Sequence, residues 1–480
     1  MTTQTISVLV KNQPGVLARI AELFSHRGCN IDKLTVSKST GTHISRMKIL
    51  TSLDDMNLQN VINQLEGSMD VIQVKAVSHP VPQNVLWNKV RNLVSSQTSS
   101  FWLVVYSLFI TLLGTNLPAP LYAIYRTEWN LSSGMITLVF AAYALVVIPT
   151  IVISGQLSDR IGRKSVLIPG VLFSIMGSIS FALSDGIGMI LLSRLFQGLS
   201  VGMLNGVAVA AMTELEPKQD RLKSALVAAI AVTVGNALGP VLSGVMGDYA
   251  PYPTRLSYII HFLLAIPSLI GLFYIHDKIQ PSLTPLQLRK PNIPKDIRKP
   301  FYLSSTTSFI AWGIMSLMLS IIPSYLGTIV GKTNLSISGG IIALVLGLST
   351  LHQLMLKKKP IRTLIAIGYT LLILGLIGMI LTMITKSLWF LILTTVLIGL
   401  GHGPTYAGSL ALVNEVSPNT CRADIVSSFY VVTYLGVSIP ILMLGVASQW
   451  IGLNHAIEWF SMIMGCMIVV SLMCWQRGVR

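Results

Sequence analysis

The chain has 480 residues, 52% of them hydrophobic and only 11% charged, against about 25% charged in an ordinary soluble domain. Of the formal charge of +16, only +2 lies in residues 1–80, a normal soluble mixture of eight Lys/Arg and six Asp/Glu. The rest carries 26 basic and 12 acidic side chains in short clusters between long apolar runs, so the basic excess reads as membrane loops and not as a nucleic-acid surface.

Taken in chain order, "TISVLV" (5–10) reads as a strand and 14–27 as a helix. Strands follow at 30–38 and 43–51 around a turn at Ser39–Thr42, then a helix near 56–66 and a strand at 69–77. That β-α-β-β-α-β order predicts a small α+β ferredoxin-like sandwich. Asn12, Pro14 and Gly15 form the first strand-to-helix turn, where Pro14 suits the helix start and Gly15 lets a ligand approach the backbone. The free amides of that helix start suit a carboxylate. "NQPGVLARIAELFSHRGCNIDKLTV" followed by "SRMKI" resembles an ACT domain, and among ACT domains the regulatory small subunit of acetolactate synthase. The resemblance implies a module in which two copies pair and bind valine between them. Asn12 and Gly15 then match the ligand-turn residues, and Asn30 matches the asparagine that opens the second strand. It covers residues 4–78 and then stops: the small subunit's second domain is replaced by a polar linker.

Beyond the linker (81–100), twelve spans are expected, roughly at 101–123, 134–156, 165–184, 187–212, 224–247, 256–275, 301–325, 337–356, 363–385, 389–413, 425–449 and 457–475. Loops and ends on one side hold 21 Lys/Arg and those on the other only Arg126, Arg255, Lys332 and Lys386. The positive-inside bias therefore places both termini, and residues 1–80, in the cytoplasm of a multi-pass inner-membrane protein. Two six-helix bundles, 101–275 and 301–480, flank a basic cytoplasmic linker at 276–300. They repeat: "GLSVG…TELEPKQDR" (198–221) matches "GLGHG…NEVSPNTCR" (399–422), so that Gly235 falls on Gly436. Such a repeat suits a transporter that rocks about a site between its halves. Cys29, Cys421, Cys466 and Cys474 show no paired spacing, which argues against disulfides, and no metal site or cofactor is expected.

Between the second and third spans runs "GQLSDRIGRK", in which Gly155 and Gly162 allow tight turns while Asp159, Arg160, Arg163 and Lys164 can build an ion-pair knot against helix ends. This segment resembles the loop signature of the major facilitator superfamily, which implies a twelve-helix fold preceded here by the ACT-like domain. The fourth span carries "RLFQG": Arg194 lies about 10 Å inside it, a costly place for a charge. Arg194, Gln197 and Gly198 are similar to the superfamily's fourth-helix motif, where the arginine is linked to proton coupling. The alternative is that Arg194 only ties helices together by bonding carbonyls. In the fifth span "GNALGPVLSG" places Gly235 and Gly239 for close helix contact, with a kink at Pro240 and a further Gly244. It resembles the motif of superfamily exporters of the drug:proton antiporter type.

Asn116, Tyr122 and Tyr125 in the proline-broken first span, with Pro323 at the equivalent place in the seventh, are candidates to line a cavity. Tyr143, Trp312, Tyr406 and Tyr430 are candidates for its aromatic walls. No Asp or Glu falls in the middle of a span, so a proton carrier would have to be His402 or an acid at the membrane edge, and strongly cationic solutes are disfavoured. The expectation is a non-enzymatic, proton-coupled exporter of a small organic solute, regulated by a valine-like effector through front-domain dimers. Two alternatives stay open: a membrane-tethered regulatory subunit of acetolactate synthase, and a transporter whose front domain is inert.

Overall fold

The computed structural model describes residues 2–26, 29–38, 44–53, 55–77, 97–218, 220–275, 293–321, 326–327, 334–418 and 422–478. The expected turn at Ser39–Thr42, Pro323, most of the 81–100 linker and most of the 276–300 linker lie outside them. The chain divides into two compact units, Met1–Val90 and Arg91–Arg480.

The first unit runs β1 (Thr2–Lys11), α1 (Val16–His26), β2 (Ile31–Lys38), β3 (Ile44–Leu53), α2 (Asp55–Glu66), β4 (Val71–Val77). The sheet order is β2-β3-β1-β4, antiparallel throughout. Alternation decides which face is buried: Ile6, Val8 and Val10 of β1 point one way, and Val8 pairs with Met47 and Ile6 with Ile49 on β3. Val16, Ile20 and Phe24 at helical spacing on α1, and Leu58, Val61 and Leu65 on α2, cover that face. The helix starts at Val16, so Pro14 sits in the turn ahead of it and not at the first helical position as expected. The chain reverses at Gly15, whose φ of +87° a residue with a Cβ adopts only under strain.

In the second unit, the first span is broken into α3 (Gln97–Asn116) and α4 (Pro118–Glu128). Pro118 and Pro120 lack amide hydrogens, so the helical ladder cannot run through. Then come α5 (Ser133–Ile161), α6 (Lys164–Ala182), α7 (Ile187–Leu215), α8 (Arg221–Tyr249), α9 (Leu256–Leu272), α10 (Arg298–Ser320), α11 (Leu335–Leu356), α12 (Ile361–Thr385), α13 (Leu388–Val416), α14 (Arg422–Ile451) and α15 (Leu453–Gly478). Among the described residues, eleven of these segments are long and apolar enough to cross a membrane, α3 and α4 counting as one, and α9 is apolar but shorter.

The repeat reappears as packing. A Cβ on Gly198 would lie 2.6 Å from the Tyr143 carbonyl and 2.7 Å from Val146 Cβ; on Gly399 it would lie 2.8 Å from the Val345 carbonyl and 3.1 Å from Leu348 Cβ. Small residues at matching places let matching backbones touch.

Candidate functional site

A cavity of about 410 Å³ lies between the two six-helix bundles. The first bundle contributes Asn116, Tyr143, Asn205 and Asn236, and the second Trp312, His402, Tyr406 and Tyr430, among others. Asn116 Nδ2 donates to Asn236 Oδ1 (2.7 Å), joining α3 to α8, and Asn205 Nδ2 reaches the Tyr434 hydroxyl (3.5 Å) across the bundles. Asn205, Asn236 and Gln353 escaped the sequence reading; an amide inside an apolar run was the available signal. Lining residues reach Ala225 near the start of α8 and Gln353 near the end of α11, so the cavity runs toward the end of the molecule that bears the "GQLSDRIGRK" loop.

At the other end the bundles are clamped. The Asp248 carboxylate, at the end of α8, accepts from the Leu335 amide (3.1 Å) and the Ser336 amide (2.8 Å) at the start of α11. Gly244 packs on the Leu335 carbonyl, Pro240 presents its carbonyl to Gly339, and Gly445 meets Thr137. Gly235 and Gly239 serve a different contact, with α3: a Cβ on Gly235 would lie 2.6 Å from the Phe109 carbonyl, and Gly239 faces the Leu113 carbonyl.

Arg194 is 2% exposed and does not line the cavity. Its Nη1 donates to the Thr115 carbonyl (3.0 Å) and to Gln197 Oε1 (2.7 Å), and its Nη2 to the Tyr122 hydroxyl. Gln197 Nε2 in turn donates to the Gly114 carbonyl (2.9 Å). That carbonyl is the one Pro118, lacking an N–H, leaves without its helical donor. Tyr122 therefore belongs to this buried tie and not to the cavity wall expected of it, because the guanidinium of α7 reaches it first. Tyr125, another wall candidate, is buried against Tyr258 (hydroxyls 3.2 Å apart). The Arg194 guanidinium lies 5.4 Å from the ring centre of Tyr143, so one aromatic ring separates the charge from the cavity.

In the loop, Arg163 bonds Asp159, Glu214 of α7 (2.9 Å) and the Ser158 hydroxyl (2.7 Å). Burial disfavours the charge of Arg163, yet the two carboxylates outweigh it and hold the guanidinium pKa above its ordinary value. Lys164 Nζ donates to the Phe273 (2.5 Å) and Ile275 carbonyls, closing the end of α9. Gly162 turns the chain at φ +97°, while Gly155 has open space where a Cβ would be and Arg160 is half-exposed.

In the front unit Asn12 is exposed beside Gly15, and Asn30 Nδ2 contacts Asp32 Oδ1 (3.3 Å). The Asn30 carbonyl accepts from buried Thr51 (2.7 Å), which anchors the start of β2 to β3. Arg19 Nε donates to Asp70 Oδ2 (2.8 Å), tying α1 to the entrance of β4.

Comparison with known proteins separates the two units. The family model described as AHAS small subunit-like ACT domain matches residues 6–73. Over 74 residues the chain is 46% identical to a probable acetolactate synthase small subunit of Archaeoglobus fulgidus, covering 15% of this chain and 46% of that protein. It is 23% identical over 220 residues to the quinolone resistance protein NorA of Staphylococcus aureus, covering 46% of this chain and 55% of that one. The chain thus spans about half the length of the curated relatives it matches. Among solved structures, a bacterial homolog of the human lysosomal transporter Spinster superposes with a TM-score of 0.65 at 13% identity, over 79% of this chain and 98% of that one. A peptide transporter, POT, solved with sulfate gives 0.66 at 14% identity, over 81% of this chain and 98% of that one. The Major Facilitator Superfamily model matches residues 104–441, seven-tenths of the sequence, and the chain belongs to that family.

Proposed function

We propose that the chain is a secondary active transporter of a small organic solute, exporting it by alternating access coupled to protons. The observation that carries this reading is the asymmetry of the central cavity: its lining extends to the loop end, while Asp248, Gly244 and Gly445 press the bundles together at the far end. With the basic loops in the cytoplasm, this is an inward-facing state, and export requires it to admit solute from inside. The resemblance of "GNALGPVLSG" to antiporter motifs and the likeness to NorA support the outward direction. Beside four tyrosines, His402 is the imidazole among the described lining residues, and Arg194 with Gln197 stands behind Tyr143; these are the coupling candidates. The experiment is uptake into everted vesicles of a panel of labelled amino acids and dyes, with and without a proton gradient. Gradient-driven accumulation of at least one solute, absent from vesicles lacking the protein, is expected; none across the panel would end the reading.

The front domain is assigned a regulatory role: a valine-like amino acid binds at the Asn12–Gly15 turn and Asn30, between the front domains of two chains. The 46% identity with an acetolactate synthase small subunit favours this. Valine titrated into the full chain should release or absorb heat and change solute flux. Heat without any change in flux, together with a thiamine-dependent synthase subunit that co-purifies, would favour the tethered-regulator alternative instead.

A further inference from the structure

We propose that the central cavity takes an uncharged, planar aromatic solute bearing a hydrogen-bond acceptor, held by Trp312 and His402. This deepens the transporter reading and rests on it. The first observation is electrostatic. Among the described residues that line the cavity none is an Asp, Glu, Lys or Arg; its polar groups are amides, hydroxyls, one imidazole and one indole N–H. A full charge moved into such a wall gives up its water with no counter-ion in return, which costs several kcal/mol. A zwitterionic amino acid would strip two charges at once. Cargo and front-domain effector are therefore different chemical classes.

The second observation is shape. Trp312 stands edge-on to His402 (ring centres 4.8 Å apart, planes at 88°) and to Tyr406 (5.6 Å, 86°). His402 and Tyr406 lie nearly parallel at 6.0 Å. Walls of this kind match a flat aromatic guest, whose edges and faces complement theirs.

The third observation names the guest's polar group. His402 is 4% exposed; its Nδ1 is 2.9 Å from the Ser349 hydroxyl, and its Nε2 has no hydrogen-bond partner. Trp312 Nε1 is likewise without one. An unsatisfied buried polar group is an energetic liability that a bound partner relieves. An indole N–H can only donate, so the guest must present an acceptor such as a carbonyl oxygen. When the Ser349 hydroxyl donates to His402 Nδ1, the hydrogen sits on Nε2 and this lining residue becomes a second donor.

Binding of four probes to the detergent-purified full chain, by equilibrium dialysis, tests the assignment. Coumarin is flat, neutral and carries a carbonyl; naphthalene has nearly the same outline without the acceptor. Ethidium supplies a flat cation and L-phenylalanine a zwitterion. Coumarin is expected to bind about tenfold more tightly than naphthalene, and Trp312→Phe, which keeps a ring and removes the N–H, should erase that margin. Equal binding of coumarin and naphthalene to the unaltered chain, or tighter binding of ethidium or L-phenylalanine, overturns the proposal without recourse to any variant. The transporter reading is read out separately by labelling cysteines placed at Ala225, exposed near one end, and at Thr137, buried against Gly445 near the other. If the two sites become accessible in alternation but coumarin shows no preference, the solute class fails and transport stands. If coumarin is preferred and only Ala225 is ever accessible, the binding assignment stands and transport fails.

Discussion

The carboxylate of Asp248 accepts a 2.8 Å hydrogen bond from the backbone amide of Ser336, so the end of α8 caps the start of α11 across the two bundles. The Leu335 amide and the Ser336 hydroxyl (2.6 Å) bond the same carboxylate. Helix starts leave amides without partners and favour negative charge, which makes this a clamp specific to the state in which α8 and α11 meet. Asp248 is exposed, so the contribution is modest, about 1 kcal/mol. Asp248→Asn should therefore raise the labelling rate of a cysteine at Thr137, buried against Gly445 at the same end, in a cysteine-free background, about fivefold. An unchanged rate would show that glycine packing alone holds this end closed.

Arg163 is the hinge of the loop cluster, with 15% of its side chain exposed and two carboxylates in reach. A planar guanidinium serves both at once; a lysine ammonium is a single point and cannot. A double-mutant cycle between Arg163→Ala and Glu214→Ala, followed by thermal unfolding, should give a coupling of about 1 kcal/mol. Arg163→Lys should retain less than half of it. A coupling of zero would mean that α5 and α7 are held without this pair, and would remove the knot from any account of gating.

Much of this architecture was legible in the chain because it depends on local rules. The alternation of Ile6, Val8 and Val10 named a half-buried strand, and the lengths of the apolar runs named the spans. "GQLSDRIGRK" could be read as a charged turn for the same reason. What could not be read was which side chains meet over long separations. Arg163 and Glu214 are 51 positions apart, and no pattern links them. Tyr122 and Tyr143 look alike in sequence, both tyrosines in apolar runs. Only the reach of Arg194 from α7 turns one into its hydrogen-bond partner and leaves the other on the cavity wall. The orphaned nitrogens of Trp312 and His402 are likewise products of packing, since an unsatisfied group is defined by everything that fails to approach it.

Gly436 repeats the packing of Gly235. A Cβ on Gly436 would lie 2.6 Å from the Phe309 carbonyl, as one on Gly235 would from the Phe109 carbonyl. Both obstacles are backbone, which cannot rotate aside. Gly235→Ala and Gly436→Ala should each destabilise the membrane domain by about 1–3 kcal/mol, by similar amounts, in thermal unfolding of the purified protein. Tolerance at one site and collapse at the other would mean that the two halves do not share this contact energetically.

Glu216 organises the turn between α7 and α8. It is 1% exposed and accepts from the Lys218 amide (2.7 Å), the Asp220 amide (2.9 Å) and Lys223 Nζ (2.9 Å). The Asp220 amide foremost, with the Lys223 side chain, holds its carboxyl below the usual range. A folded pKa lowered in this way stabilises the turn above the unfolded carboxylate pKa, and the effect is lost as pH falls through the folded value. The protection of the turn's amides, measured against the intrinsic exchange rate at each pH, should fall as the medium is acidified below that range. Glu216→Gln should show low protection at every pH; a turn equally protected in both proteins would contradict this.

The Arg194 tie separates structure from coupling. Among the described residues no carboxylate pairs with Arg194, so its charge is held by the Thr115 carbonyl, Gln197 and Tyr122 and by the surrounding rings. Tyr122→Phe removes one bond and should cost about 1 kcal/mol. Arg194→Lys forfeits the fork that spans all three partners and should cost about 3 kcal/mol. Thermal unfolding measures the stability ranking, and solute flux with and without a proton gradient, at a temperature where both variants remain folded, tests coupling. If the arginine couples protons, Arg194→Lys abolishes the gradient dependence while Tyr122→Phe keeps it. If the arginine only ties α7 to the broken first span, both variants keep their gradient dependence and lose flux in step with their loss of stability.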